Sequence, residues 1–228
     1  MISIPHVTGN AFLNKRPIDE SPAHVVLDLE TLSVDSNAKI ISIGAVSLSD
    51  QLNITGYFYI PVKLGKLISD SFTVDVPTFN WWIQQSRNAI DALNLIDGFS
   101  ITQAITQFCV WLGVHPLGLN KNTPKIQTKL WGNGPEFDNI ILKNAFDCTG
   151  TVWPFAYNSA QSLRTIRYIN DTLDLDAGFP EPYIKHHALY DAEAEAIYFQ
   201  NVMKRLLAME AQISDVYTEV RDTHTHHG

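Results

Sequence analysis

Polar and apolar residues change rhythm along this chain, and the change divides it into an early and a late part. Residues 1–22 carry Pro5, Gly9, Pro17 and Pro22 with little periodicity and read as an arm or loop. From His24 to Leu29 the apolar residues are dense, as in a strand covered on both faces. Lys39 to Leu48 (KIISIGAVSL) and Asn53 to Ile60 (NITGYFYI) carry the β-branched and aromatic residues of two further strands. Short turns join the three runs, which favours antiparallel neighbours.

A helical period then takes over. Pro77 to Gln85 predicts a short helix with proline in its first turn. Ser100 opens a longer helix, with Gln103 completing a capping box and Ile101, Ala104, Ile105, Phe108 and Leu112 forming its stripe. Lys129 to Asn133 predicts a short strand. Gly134 and Pro135 start a helix with Phe137, Ile141, Ala145 and Cys148 on one face, and residues 160–171 form another. The last clear element runs from about Leu189 to Leu207, where Leu189, Ala192, Ala196, Phe199, Met203 and Leu206 alternate steps of three and four. Strands first and helices later predict an α/β fold, a mixed sheet flanked by helices. The expected organisation is an arm (1–22), one domain (23–210) and a tail (211–228), whose His224, His226 and His227 fall in a disordered end.

Composition narrows the class. At 228 residues with 45% hydrophobic and 18% charged side chains, the chain is long and apolar enough for a substantial core. Its formal net charge of −8 argues against a protein that coats nucleic acid. It leaves room for an enzyme that meets phosphodiesters through bound cations. Cys109 and Cys148 are too few for a disulfide framework and read as buried thiols. No signal peptide or membrane-length apolar run is visible, so a cytoplasmic location is expected.

Candidate chemistry begins in the first strand, where Val-Val-Leu-Asp-Leu-Glu places Asp28 and Glu30 two residues apart and so on one face. Two like charges in a partly buried place call for a counter-charge, and a divalent metal is an economical one. A strand that ended at Leu27 would leave both acids in water. Asp138 lies in the first turn of its helix, a position that also suits an ordinary acid facing the helix dipole. Around it, Trp131-Gly132-Asn133-Gly134 lets a ligand approach the backbone closely. Asp191 adjoins the core position Ala192, whereas Glu193 and Glu195 read as solvated and inert. His186 enters the last helix five residues before Asp191, and its ordinary pKa suits a general base.

Asp28, Glu30, Asp138 and Asp191, with His186 four intervening residues before the last acid, resemble the histidine-bearing (DEDDh) branch of the DEDD 3′→5′ exonucleases. His187 stands where the sister branch carries tyrosine. Leu-Asp-Leu-Glu-Thr-Leu, Ile-Ser-Ile-Gly-Ala-Val, Trp-Trp-Ile-Gln-Gln-Ser and Trp-Gly-Asn-Gly…Phe-Asp are similar to the phage and prophage exonuclease-VIII-like group within it. Ser162-Leu163-Arg164-Thr165-Ile166 resembles that group's arginine-threonine segment, with serine where an acid is usual.

The resemblance implies a ribonuclease-H-like fold and two magnesium or manganese ions per site, held by Asp28, Glu30, Asp138 and Asp191, with His186 as base. It implies 5′-monophosphates released from a free 3′ end, most readily of DNA. Thr31 and Leu32 would meet the terminal nucleotide, and Asn133 and Phe137 its sugar and base. Trp81 and Trp82 diverge by about 100° on a helix, so one can stack on a base while the other packs inward, Trp82 being the candidate contact. An exoribonuclease using the same residues, and a non-catalytic nucleic-acid-binding module, are the alternatives. The sequence carries no signal of oligomeric state and is compatible with a dimer.

Overall fold

The structure, a computed structural model, describes residues 12–13, 21–65, 71–120 and 122–225. Strands β1 (Phe12–Leu13), β2 (His24–Thr31), β3 (Ile40–Leu48), β4 (Ile54–Pro61), β5 (Lys129–Gly132) and β6 (Ala160–Ser162) form one sheet in the order β1-β4-β3-β2-β5-β6. β2, β3 and β4 pair antiparallel, as their short turns require. β5 returns parallel to β2, and β6 parallel to β5. The helices are α1 (Val76–Trp82), α2 (Arg87–Ala92), α3 (Ile101–Trp111), α4 (Ile140–Cys148), α5 (Leu163–Thr172) and α6 (Ala188–Thr225). No described helix is long and apolar enough to cross a membrane.

Strand periodicity sorts β2 between two layers. Val25, Leu27 and Leu29 face a core shared with Ala104, Ile105 and Phe108 of α3 and Ile141, Leu142 and Ala145 of α4. Val26 faces the opposite core, with Val46 and Leu48 of β3 and Leu189, Ala192, Ala196 and Phe199 of α6. Asp28 and Glu30 follow Val26 on that second face. The helix α3 starts where the capping box predicts, with Ser100 and Gln103 each satisfying the other's backbone N–H.

Several expectations change. Within the arm read as irregular, Phe12 and Leu13 add a strand to β4, opposite Tyr59 and Phe58; residues 1–11 and 14–20 lie outside the described residues. β6 and α2 were hidden because three-residue and six-residue elements are too short to show a period. The segment Pro135–Asn139 is a π-helical turn rather than the first α-helical turn, and α4 proper begins at Ile140. Cys148 sits at the exposed end of α4, so of the two thiols it is Cys109 alone that is buried. Helix α6 continues 38 residues to Thr225, through the stretch expected to be an unstructured tail; His226 and His227 lie outside the described residues.

Candidate active site

The site forms where β2 and β5 part. Their parallel pairing ends at Val26 opposite Trp131, and ligands of α/β sheets gather beyond the carboxyl ends of such strands. On this edge the Leu29 N–H donates instead to Asp138 Oδ1 at 3.3 Å, and the Asn133 N–H donates to Asp138 Oδ2 at 3.0 Å. The π-turn thus folds Asp138 back onto β2. Gly132 makes room for it, since a Cβ there would lie 2.9 Å from the Asp138 Cβ.

Helix α6 delivers the next acid. Asp28 pairs with Gly44 across the β2–β3 ladder, so both face α6. A Cβ at Gly44 would come within 2.1 Å of the Ala188 carbonyl carbon, and the missing side chain is what lets the start of α6 rest on the sheet. Asp191, one turn in, accepts the His187 N–H at 3.1 Å on Oδ2. Carboxylate oxygens of Asp28, Glu30 and Asp191 consequently lie within 4.8 Å of one another. Asp138 and His186 stand outside that triangle.

Burial and mutual repulsion dominate the electrostatics. Loss of solvent raises the Asp28 pKa well above the carboxylate range, and Glu30, Asp138, Glu195 and Asp191 add to the rise. Glu30 is pushed up to about 8 by burial, then by Asp191 and Asp138. Burial also lifts Asp138, against the N–H groups of Asn133 and Leu29. Asp191 rises to about 6, restrained by the backbone of His187 and His186. Such a group fits a hard divalent cation: its donors are all carboxylate oxygens, gathered where their charge is otherwise unfavourable.

The two histidines have different surroundings. The His187 ring is buried, stacked on Tyr59 at 4.4 Å and tilted against Tyr190 at 4.5 Å. His186, at φ 61°, is half-buried with its ring edge-on to Trp81 at 4.7 Å. Partial burial and then Lys185 lower its pKa, which favours the neutral imidazole, the form that accepts a proton.

Of the expected substrate contacts, Thr31, Leu32 and Trp82 lie together, and Asn133 lies beside Asp138. Thr31 is buried, its hydroxyl donating to the Ser33 carbonyl at 2.8 Å. Leu32 is buried with Ile41, Trp82, Ala89 and Leu93. Phe137 is half-buried against the α3–α4 core, and Asn133 is half-buried beside Asp138. Trp82 proves to be the inward ring, its Nε1 donating to the Thr31 carbonyl at 2.9 Å, while Trp81 remains 41% exposed. The candidate for stacking on a base therefore moves from Trp82 to Trp81.

Glu195 is the main omission of the sequence reading, which placed it in solvent. It is 5% exposed, its charge acts on Asp28, and Arg167 of α5 pairs with it at 3.4 Å. Its spacing of four from Asp191 puts both acids on one helix face, a signal the sequence did contain. Glu193, also expected in solvent, is half-buried and accepts the Tyr57 hydroxyl at 3.3 Å.

Comparison with known proteins follows the same geometry. A family model described as the 3′-5′ exoribonuclease Rv2179c-like domain matches residues 23–203. No match is found among curated proteins. Among solved structures, E. coli exonuclease I in complex with a 5cy-dT13 oligonucleotide is similar at TM-score 0.57 and 13% identity, over 82% of this chain and 41% of that one. An apo exonuclease I gives TM-score 0.56 and 15% identity, over 82% and 43%. S. pombe Pop2p in a Mg2+- and Mn2+-bound form gives 0.51 and 15%, over 81% and 84%. This chain spans about two fifths of the exonuclease I structures, and likeness at such identities shows the fold, the ribonuclease-H-like sheet and helices.

Proposed function

Because the chain belongs to the 3′-5′ exoribonuclease Rv2179c-like domain family, we propose that it is a divalent-cation-dependent 3′→5′ exonuclease releasing nucleoside 5′-monophosphates. We further read its motifs as similar to those of the phage and prophage exonuclease-VIII-like group. The observation that carries the reading is the convergence of Asp28, Glu30 and Asp191 oxygens within 4.8 Å, with Asp138 folded in beside them.

Asp28, Glu30 and Asp191 would hold the cations, with Asp138 as a further oxygen donor from the β5 side. Two magnesium or manganese ions there would supply positive charge for the attacking and the leaving oxygen. His186 accepts a proton from the attacking water at a ring nitrogen. The water oxygen bonds to phosphorus as the bond from phosphorus to the 3′ oxygen breaks, and that oxygen takes a proton from solvent, leaving a shortened strand with a new 3′-hydroxyl and a free 5′-monophosphate. Trp81, exposed beside His186, offers the terminal base an aromatic face that reads no sequence. Thr31 and Leu32 follow Glu30 at the end of β2, and Asn133 stands beside Asp138, whereas Phe137 packs towards the α3–α4 core.

The family description favours RNA as the polymer, whereas exonuclease I is the relative seen with a DNA oligonucleotide. A timed digest of 5′-labelled single-stranded DNA, duplex DNA and RNA, with magnesium and with chelator, decides both points. We expect a ladder shortening from the 3′ end only with metal, blocked by a 3′-phosphate, and slowed by orders of magnitude in His186→Ala but little in His187→Phe. No cleavage of any substrate with any metal would replace the enzyme with a nucleic-acid-binding module.

A further inference from the structure

One cation near the site is engaged with both of its walls. Arg167 projects from α5, its Nη1 donating to Asn133 Oδ1 at 2.9 Å and its Nη2 to Glu195 Oε1 at 3.4 Å. The guanidinium carbon lies 5.2 Å from the centre of the Phe179 ring, which covers one side of it. Asn133 belongs to the turn after β5 and donates its own N–H to Asp138, whereas Glu195 lies one turn beyond Asp191 on α6. Three residues, Asn133, Arg167 and Glu195, thus connect Asp138 to the helix that carries Asp191, and Arg167 is the link in the middle.

We propose that Arg167 is a positioning residue of this site: it fixes the side-chain amide of Asn133, with buried Glu195 as the counter-charge that holds the guanidinium there. The proposal rests on the exonuclease reading for its catalytic consequence. An amide whose oxygen faces Arg167 must turn its NH2 the other way. Asn133 is then committed to donating, which suits a ribose or phosphate oxygen of the terminal nucleotide. Glu195 is suited to the second part of the task. It is almost fully buried; burial and then Asp138 push its pKa up to about 8 while Arg167 pulls against the rise, so the charge it carries near neutrality depends on Arg167. The pair also explains why an acid that the helix period leaves next to Ala194 and Ala196 lies inside rather than in water.

The test separates holding a charge from holding Asn133. Arg167→Met strands Glu195 and should lower the Tm; adding Glu195→Gln removes the stranded charge and should restore it. On whichever 5′-labelled single strand the wild type degrades faster, kcat/KM of that double variant should stay about 10- to 100-fold down, because the amide is still released. Arg167→Lys, which keeps the charge without the fork, should fold like the wild type and lose activity similarly. In an Asn133→Ala background, Arg167→Lys should cost little more, since both act through one amide.

The Asn133 NH2 resonances, assigned by their absence in Asn133→Ala, report the amide without any turnover. They should be sharp and distinct in the wild type, and should shift and broaden in Arg167→Met/Glu195→Gln. Unchanged resonances, wild-type kcat/KM in the stable double variant, or multiplying losses with Asn133→Ala would each overturn the role. A wild type that degrades nothing defeats the exonuclease reading instead, and the resonances still decide whether Arg167 holds Asn133.

Discussion

The two faces of β2 are built from alternate residues of one eight-residue strand, and they have opposite electrostatic character. Val25, Leu27 and Leu29 enter an apolar core sealed by α3 and α4, where the strand gains by leaving water. On the other face, Val26 is equally buried, but Asp28 and Glu30 follow it into a place where three carboxylates share 4.8 Å. The first face contributes stability. The second spends some of it, since burial opposes the charge on Asp28 and Glu30 and their neighbours oppose it further. A strand can carry both because its period of two keeps the sets apart.

The largest effect should come from the charged face. Asp28→Asn is expected to cut exonuclease rate by about 10³-fold or more, some 4 kcal/mol of barrier. In chelator it should raise the Tm, since a repelling charge has gone. A lowered Tm would mean that Asp28 contributes to the fold as Leu27 does. Gly44→Val comes next, because its side chain would meet backbone of Ala188 and Leu189, which cannot yield. It should displace the start of α6, lose most activity and cost about 1–3 kcal/mol in denaturant unfolding. Normal activity would show that Asp191 reaches Asp28 without that close approach.

On the sealed face, Leu27→Ala should lose about 2–5 kcal/mol of stability while the folded fraction keeps its rate at low temperature. A selective loss of rate at unchanged stability would dissolve the contrast between the faces.

The smallest effect is a slope. An acid whose pKa is raised on folding keeps its proton in the folded chain and loses it in the unfolded one, from its ordinary pKa up to the raised value. Stability in chelator should therefore fall as pH rises through that window, from 3.8 to about 6 for Asp191 and from 4.5 to about 8 for Glu30. Magnesium should flatten the slope by stabilising the ionised acids. Thermal unfolding from pH 4 to 8, with and without magnesium, measures it; a Tm that rises with pH in chelator would contradict the burial of these groups.

Much of this was legible in advance. β2, β3 and β4 are dense in β-branched and aromatic residues, α3 announces its start with a capping box, and the period of α6 runs through six core positions. Asp28 and Glu30 follow directly from strand alternation, and Asp191 from its place beside Ala192. What escaped notice was short or relational. β6 has three residues, too few for a period. Trp81 and Trp82 are identical as letters, and only the bond from Trp82 Nε1 to the Thr31 carbonyl decides which one turns inward. Glu195 looks like a surface acid until Arg167, from a different helix, is seen against it.

By itself, then, the sequence determined which residues form strands and helices and that Asp28 and Glu30 share a face, because those properties repeat over a few neighbouring residues. The tertiary structure decided how close those acids come to Asp191, how Asp138 is folded back by the Leu29 and Asn133 N–H groups, and that Glu195 is buried. The approach of Asp191 and of Asp138 to β2 joins residues more than 100 positions apart, and the Arg167–Glu195 pair joins two separate helices. No local pattern encodes such a distance; it is set by the absence of a side chain at Gly44 and Gly132, where the backbone of α6 and the Asp138 turn come to rest.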